Sequence, residues 1–228
     1  MEGAQRLSEA GVAEPRREAG SLLAHALSRD RSFVIAHAGD DLNDHKRGVF
    51  RSLIARRAGG EPLQYITGHQ EFFKLDFEVT PAVLIPRPET ELIIEVVLEL
   101  LDNHPQPYLA DIGTGSGCIA ISILHELSAA RAVATDVSTA ALRVAQRNAA
   151  RHGVADRLAL LESDCFSALN ATPPFSLIAS NPPYVSDDEL ESLQREVNCE
   201  PRAALRSHTS AASDLRTGRA APPRGRRR

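Results

Sequence analysis

The sequence predicts an α/β fold in which a parallel β-sheet, with helices on both faces, follows a small helical domain. From Tyr108 onward, short apolar runs alternate with helical segments, an order that is typical of a parallel sheet. Before residue 59, apolar residues recur at the three- and four-residue spacing of amphipathic helices. We therefore expect four segments: a helical domain over 1–68, a hairpin and linker over 69–88, a sheet domain over 89–205 and a basic tail over 206–228.

The first third of the chain contains the predicted helices. Residues 16–27 place their leucines and alanines on one face, which predicts a helix with one buried side. Asp30 or Ser32 is the candidate N-cap of a short third helix, and Asn43 is the candidate N-cap of a helix that ends at Ala58. Because helices this short need tertiary packing to be stable, we expect them to pack on one another or on the next domain.

The linker region combines a strand signal with prolines. Residues 73–79 alternate apolar and charged side chains, which predicts a β-strand. Pro81, Pro86 and Pro88 follow, and proline restricts both its own backbone and that of the residue before it. This stretch is therefore expected to be extended and stiff, and helical spacing resumes over residues 89–101.

The sheet domain is expected to contain four parallel strands. Helices are predicted between them over residues 118–127 and 138–151, the second with Ser138 as its N-cap. Ligands of such sheets bind at the carboxyl ends of the strands, so the residues that follow each strand are the candidates for a site. The predicted strands span residues 108–112, 131–135, 157–161 and 175–180.

Two of these strand ends indicate a nucleoside-bearing cofactor. Gly113, Gly115 and Gly117 follow the first strand, and glycines permit a tight turn and close approach of a ligand to the backbone. Asp136 ends the next strand, where a carboxylate can accept hydrogen bonds from ribose hydroxyls. Taken singly, each feature also fits a purely structural role, as a tight turn or a helix cap. The sequence has no Walker Gly-Lys-Ser/Thr motif, so phosphate binding is not expected.

The segment Asn181-Pro-Pro-Tyr184 ends the fourth predicted strand. An Asn-Pro turn is one interpretation. The other is a binding site, because prolines stiffen the backbone and have no N–H donor, which leaves carbonyl oxygens as acceptors. With the side-chain oxygen of Asn181 and the ring of Tyr184, the segment has the groups needed to bind a planar NH₂ group, whose two hydrogens need two acceptors.

The glycine loop, Asp136 and the Asn181–Tyr184 segment together resemble class I S-adenosylmethionine-dependent methyltransferases that act on an amino nitrogen. Residues 60–68 and 79–91 are very similar to the HemK-type peptide chain release factor glutamine N5-methyltransferases. The resemblance extends from near residue 5 to about residue 205. It implies a Rossmann-like domain, S-adenosylmethionine as the cofactor and an N-terminal helical domain that docks the release factor.

The resemblance also implies a role for each matching residue. The glycine loop would contact the methionine part of the cofactor, Asp136 its ribose, and the residues after the third strand its adenine. Thr90 and Glu91 would line the same pocket, and no metal ion is implied. The implied cofactor residues are Gly113, Thr114, Gly115, Ser116, Gly117, Asp136, Asp164, Cys165 and Asn181, and the implied catalytic and glutamine-binding residues are Asn181, Pro182, Pro183 and Tyr184.

The implied activity is methylation of the glutamine side-chain amide in the Gly-Gly-Gln motif of peptide chain release factors. Two alternatives remain open: a DNA or RNA amino-group methyltransferase, and an inactive remnant that only binds cofactor or partner. Against the first, the chain before Arg206 has 19 basic and 29 acidic residues, a balance that is unfavourable for binding a phosphate backbone. The expected protein is a cytoplasmic monomer with no membrane segment and no direct contact with nucleic acid.

The C-terminal end departs from the family pattern. The family continues with further strands, whereas residues 206–228 contain seven arginines, one acidic residue and no apolar periodicity. We expect this tail to stay unfolded, and a frameshift or truncated gene would explain it; an RNA-binding arm is the alternative. The strand before Asn181 would then keep one unpaired apolar edge. The sequence therefore predicts low stability and weak or no activity.

Overall fold

The chain divides into two compact units in the structure, which is a computed structural model that describes residues 2–169, 173–182, 199–201 and 204. One unit begins the chain and ends at Gly68, and the other begins at His69. Cys199 belongs to the first unit and Glu200 to the second. Each unit has its own hydrophobic core.

The first unit is helical, as predicted. Its core contains Leu7, Leu22 and Ile54, each from a different helix. Packing of these short helices around shared apolar side chains gives them the stability that they lack in isolation. The helices are α1 (Glu2–Glu9), α2 (Pro15–Leu27), α3 (Arg31–Ala36), α4 (Asp44–Ala58) and α5 (Leu63–Thr67).

Two predicted helix caps are confirmed. The side chain of Asp30 accepts a hydrogen bond from the backbone N–H of Phe33 at 2.7 Å, and Asn43 accepts one from Lys46 at 2.8 Å. Each bond satisfies a backbone donor that has no partner within its own helix. Helix α5 was not predicted, because its five residues are too few to show a helical period.

An antiparallel hairpin opens the second unit, with strands β1 (His69–Phe72) and β2 (Leu75–Glu78). The prediction of one strand over residues 73–79 is wrong at its start. Phe73 and Lys74 form the turn and have positive φ angles of 47° and 63°. The apolar alternation continues through the turn because Phe73 packs against the core of the unit, so the pattern alone could not show where the strand begins.

The second unit is built on a parallel sheet, and the predicted α/β fold is confirmed. Among the described residues the strand order is β5-β4-β3-β6, so β3 lies between β4 and β6. Parallel pairing brings the carboxyl ends of all four strands to one edge of the sheet. The strands are β3 (Tyr108–Ile112), β4 (Arg131–Asp136), β5 (Leu158–Glu162) and β6 (Leu177–Ser180), each within two residues of its prediction.

Helices of the second unit alternate with these strands. A 3₁₀ helix (Pro88–Thr90) leads into α6 (Glu91–Leu101), and α7 (Cys118–Glu126) and α8 (Thr139–Arg151) follow β3 and β4. Every residue of α7 from its start to Leu124 is buried, which explains why nearly all of them are apolar. Ser138 accepts a hydrogen bond from the backbone N–H of Ala141 at 3.2 Å, so the predicted cap of α8 is also confirmed.

Strand β6 pairs only with β3 in the part of the chain that the structure describes. Four large apolar side chains of α6 and β6 are exposed beside it: Leu92, Val96, Leu100 and Ile178. The expectation of an unpaired edge also depends on residues outside the described ranges, as does the expectation of an unfolded tail over 206–228, and both stay predictions. No helix of the described ranges has the length and hydropathy needed to span a membrane.

Candidate active site

A cavity of about 250 Å³ lies at the carboxyl ends of the strands, within the second unit. The segment 82–87, except Ile85, and Thr90 form one wall, and most of the remaining lining residues lie at or just after the strand ends. Gly117 is not part of the lining, and Pro183 and Tyr184 lie outside the described residues. The sequence-assigned residues that line the cavity are Gly113, Thr114, Gly115, Ser116, Asp136, Asp164, Cys165, Asn181 and Pro182.

The three glycines of the loop after β3 have two different tasks. All have positive φ, between 56° and 83°, a region that L side chains rarely adopt. A Cβ at Gly113 or Gly115 would meet no atom within 4 Å, so bare backbone faces open space there. A Cβ at Gly117 would lie 2.7 Å from Ile121 Cδ1 and 3.2 Å from Ala145 Cβ. The first two glycines therefore leave room for a ligand, and the third leaves room for α8 to pack against α7.

Asp136 links the glycine loop to the end of β4. Its Oδ2 accepts a hydrogen bond from the N–H of Gly115, and its Oδ1 accepts one from the N–H of Ser138, both at 2.9 Å. A carboxylate can accept about four hydrogen bonds, so acceptor capacity remains for a ligand hydroxyl. Asp136 thus shapes the loop and presents a negative charge to the cavity.

Asp111 supports the loop from inside the protein. Its Oδ2 accepts hydrogen bonds from the Thr114 hydroxyl at 2.6 Å and from the N–H of Ala120 at 3.3 Å, and its Oδ1 has no partner among the described residues. Burial raises the pKa of Asp111 to about 6, against the lowering effect of these two hydrogen bonds. The residue is 2% exposed and does not line the cavity.

Ser163 organises the turn after β5, a role that was not predicted from the sequence. Its N–H donates to the carbonyl of Asp136 at 3.0 Å, and its hydroxyl donates to the carbonyl of Cys165 at 3.1 Å. The same hydroxyl oxygen accepts from the N–H of Ala168 at 3.0 Å. Cys165 adopts a positive φ of 47° within this turn. Ser163 therefore determines how Asp164 and Cys165 face the cavity. No sequence pattern indicates this role for a serine in a loop.

Asn148, on α8, connects the glycine loop to the hairpin and was also missed. Its Oδ1 accepts from the N–H of Glu78 at 2.8 Å, and its Nδ2 donates to the carbonyls of Glu78 at 3.0 Å and Ser116 at 2.9 Å. The residue is fully buried. Since all three contacts are to backbone, Asn148 fixes the position of both segments at once.

Asn181 lies at the end of β6 with its side-chain amide in contact with Thr90. Its Nδ2 donates to the Thr90 Oγ1 at 3.2 Å. The preceding residue, Ser180, pairs with Ile112 of β3, and its hydroxyl donates to the carbonyl of Ile112 at 2.9 Å. The backbone that precedes Asn181 is therefore fixed by the sheet.

Glu200 stabilises the wall formed by residues 82–87. Its Oε2 accepts from the N–H of Ile85 at 3.2 Å, and its Oε1 forms an ion pair with Arg87. The Glu200 side chain is 1% exposed, so its charge is balanced by a guanidinium and a backbone donor. A glutamate followed by proline matches no motif that would indicate such a contact, and this role was not predicted.

The prediction that Glu91 lines the cofactor pocket is wrong. Its Oε1 accepts a hydrogen bond from the N–H of Phe73 at 2.9 Å, and the residue is absent from the cavity lining. Phe73 lies in the hairpin turn, where the ladder offers its N–H no partner, and Glu91 satisfies it. The neighbouring Thr90 does line the cavity.

Two protein families match the sequence of this chain. The PrmC N-terminal domain matches residues 1–68, and the Methyltransferase small domain matches residues 91–209. A release factor glutamine methyltransferase of Moorella thermoacetica is 49% identical over 204 residues, which are 90% of this chain and 72% of that protein. The chain belongs to the release factor glutamine methyltransferase family. The predicted resemblance to release factor glutamine methyltransferases is thereby confirmed.

Further comparisons agree with this membership. The release factor glutamine methyltransferase of Nitratidesulfovibrio vulgaris is 46% identical over 202 residues, 88% of this chain and 68% of that protein. The solved hMettl16 catalytic domain, in complex with a 3′UTR hairpin, superposes with a TM-score of 0.52 at 20% identity; the match covers 72% of this chain and 60% of that one. That likeness supports the class I methyltransferase fold alone. As a member of the family, the chain is an S-adenosylmethionine-dependent methyltransferase, as predicted.

The residues at the cavity of this family member fit S-adenosylmethionine. The bare backbone at Gly113 and Gly115 permits close approach of a ligand, and the Asp136 carboxylate can accept hydrogen bonds from hydroxyl groups. Asp164 and Cys165, in the turn after β5, also line the cavity. Among the described residues, no group of three or more histidine, cysteine, aspartate or glutamate side chains is placed to bind a metal ion.

Proposed function

We propose that this chain methylates the side-chain amide nitrogen of a glutamine in peptide chain release factors, and that this glutamine belongs to their Gly-Gly-Gln motif. The relatives at 42–49% identity are named release factor glutamine methyltransferases, which supports the class of substrate. The observation with the most weight is that Asn181 and Pro182 line the same cavity as the glycine loop and Asp136. The segment that we propose to bind the amide and the loop that we propose to bind the cofactor therefore line one cavity.

The chemistry requires that a poor nucleophile be held in one orientation. The lone pair of an amide nitrogen is delocalised into its carbonyl group, so the nitrogen attacks slowly in free solution. In the proposal, the Asn181 Oδ1 and the Pro182 carbonyl each accept one N–H of the glutamine NH₂ group. Such positioning is worth ~7–11 kcal/mol in favourable intramolecular cases. S-adenosylmethionine, when bound, supplies an electrophilic methyl group on a positively charged sulphur.

The remaining site residues complete this proposal. The glycine loop and Asp136 would bind the methionine part and the ribose of the cofactor, and Asp164 and Cys165 would contact its adenine. Pro183 and Tyr184, which lie outside the described residues, would complete the substrate segment, with the tyrosine ring against the amide plane. We further propose that residues 1–68 dock the release factor, and that the protein acts as a cytoplasmic monomer.

A DNA or RNA amino-group methyltransferase is the first alternative. A planar NH₂ group on a base could occupy the same segment, since it also presents two N–H donors. The excess of acidic over basic residues before residue 206 disfavours it, because non-specific binding to nucleic acid depends on lysine and arginine. The second alternative is a remnant that binds cofactor or partner without turnover.

A methyl-transfer assay separates these possibilities. The purified chain is incubated with radiolabelled S-adenosylmethionine and either a release factor, duplex DNA or ribosomal RNA. We expect any label to appear only in the release factor, on its Gly-Gly-Gln peptide, and to be lost when that glutamine is replaced by glutamate. Label in a nucleic acid would support the first alternative. Cofactor binding by calorimetry without label in any substrate would support the second.

A further inference from the structure

The contact between Thr90 and Asn181 bears on which end of the Asn181 side-chain amide faces the substrate. We infer that Thr90 is a positioning residue that sets the orientation of the Asn181 side-chain amide, so that its oxygen faces the substrate. This inference rests on the proposed function, in which Asn181 binds the glutamine amide. The two residues are 91 positions apart in the chain and meet only in the folded second unit.

Thr90 is placed firmly enough to act in this way. It is 7% exposed and ends the 3₁₀ helix, where its N–H donates to the carbonyl of Arg87 at 3.0 Å. The next residue, Glu91, is tied to the hairpin turn through its contact with the N–H of Phe73. The Thr90 hydroxyl therefore lies at a junction that is fixed on both sides, rather than on a free loop.

An asparagine amide has two different ends of nearly equal size. The NH₂ end only donates hydrogen bonds, and the oxygen end only accepts them. In the structure the NH₂ end of Asn181 donates to the Thr90 Oγ1, so the oxygen end points away from that contact. A glutamine NH₂ group also only donates, and it can bind Asn181 only through the oxygen. If the Asn181 amide were reversed, its NH₂ group would face the NH₂ group of the glutamine, and neither could accept a hydrogen bond.

Because the backbone around Asn181 is restrained, rotation about the side-chain torsions of Asn181 is the main motion left to it. The preceding residue, Ser180, is bound to β3, and Pro182 restricts the backbone of the residue before it. Without the hydroxyl at position 90, the NH₂ group of Asn181 would lose the hydrogen-bond partner that the structure gives it. The side-chain amide would then be free to rotate and to turn its NH₂ end toward the cavity.

Replacement of the hydroxyl tests the inference. In Thr90→Val the shape of the side chain is kept and the acceptor is lost, and in Thr90→Ser the hydroxyl is kept. We expect Thr90→Val to lower kcat for methyl transfer to the release factor about tenfold to a hundredfold, as for loss of one hydrogen bond that orients a reacting group. Thr90→Ser should stay within about threefold of the wild type, and the Kd for S-adenosylmethionine should stay within about threefold in both variants.

Matched variants separate this effect from a general loss of stability. Thr139→Val removes the hydroxyl of an exposed threonine outside the cavity lining and should leave kcat unchanged. Thr90→Ala removes the acceptor with a smaller side chain and should behave like Thr90→Val. The inference is overturned if Thr90→Val turns over at the wild-type rate, or if Thr90→Ser is as impaired as Thr90→Val.

A second readout does not depend on turnover. The side-chain NH₂ signals of Asn181, assigned by their loss in Asn181→Asp, can be followed by NMR in the ligand-free protein. In Thr90→Val these signals should shift and exchange faster with water, because the NH₂ group has lost its partner; unchanged signals would overturn the inference. If the wild type fails to methylate a release factor, the proposed function fails, whereas these signals still decide the role of Thr90.

Discussion

Asn148 and Glu78 form a paired contact in which the Asn148 amide accepts from the Glu78 N–H at 2.8 Å and donates to the Glu78 carbonyl at 3.0 Å. The same amide also donates to the carbonyl of Ser116 in the glycine loop. The hairpin strand β2 and the cofactor loop are thus bound to one buried side chain. The position of the loop depends on a residue that touches no ligand.

Asn148→Ala should destabilise the protein by about 3–5 kcal/mol, because one buried and two part-buried backbone groups lose their partner. Cofactor affinity should fall as well, since the carbonyl of Ser116 is no longer fixed. Chemical denaturation and calorimetry with S-adenosylmethionine measure the two effects. Asn103→Ala, at an exposed position, is the matched control and should change neither quantity. An Asn148→Ala protein with wild-type stability would contradict this role.

Gly115→Ala and Gly117→Ala should fail in different ways. Both substitutions force a side chain into positive φ, at a cost of about 1–2 kcal/mol. At Gly115 the new methyl group enters open space that faces the cavity, so the main loss should be cofactor affinity. At Gly117 it meets Ile121 and Ala145, so the main loss should be stability. Thermal unfolding and cofactor titration of the two variants test this, and equal effects on both quantities would contradict the assignment.

Asp111 should make stability depend on pH. Burial raises the pKa of Asp111 from 3.8 to about 6 in the folded protein, so the folded state retains the proton to higher pH than the unfolded chain does. Stability should therefore fall as pH rises from about 4 to about 6, by about 3 kcal/mol from this group. Asp111→Asn removes this titration. Its free energy of unfolding relative to the wild type should rise across that window and level off above about pH 7.

Chemical denaturation of both proteins between pH 4 and 8 measures this difference. The difference between the two proteins matters, because the remaining titratable groups are common to both. A difference that does not vary with pH would mean that the carboxyl of Asp111 titrates in the folded protein as it does in the unfolded chain.

Some features could be predicted from the sequence because they depend on residues that are close in the chain or on the order of the strands. Asn43 and Ser138 were predicted as caps, and Asp30 as one of two candidates, because a capping side chain bonds a donor three residues away. The glycine loop and Asp136 were predicted because parallel strands bring their carboxyl ends together. The turn at Phe73 was missed because the side chain stays in the core, and the alternation therefore does not break.

The contacts that support the site could not be predicted, because their partners are far apart in the chain. Thr90 and Asn181 are 91 positions apart, Arg87 and Glu200 are 113 apart, and Asn148 and Ser116 are 32 apart. Each pair meets only after the sheet, its helices and the segment before α6 have packed together. No local pattern specifies such a contact, because either partner alone is an ordinary polar residue.

In the proposed function, the Asn181 side chain orients a glutamine amide for methylation. Single-turnover methylation of a release factor by Asn181→Ala, with cofactor bound in excess, tests this role. We expect the rate of methyl transfer to fall about a hundredfold or more, while the Kd for S-adenosylmethionine changes less than about tenfold. If the variant methylates the glutamine at the wild-type rate, Asn181 does not orient the amide.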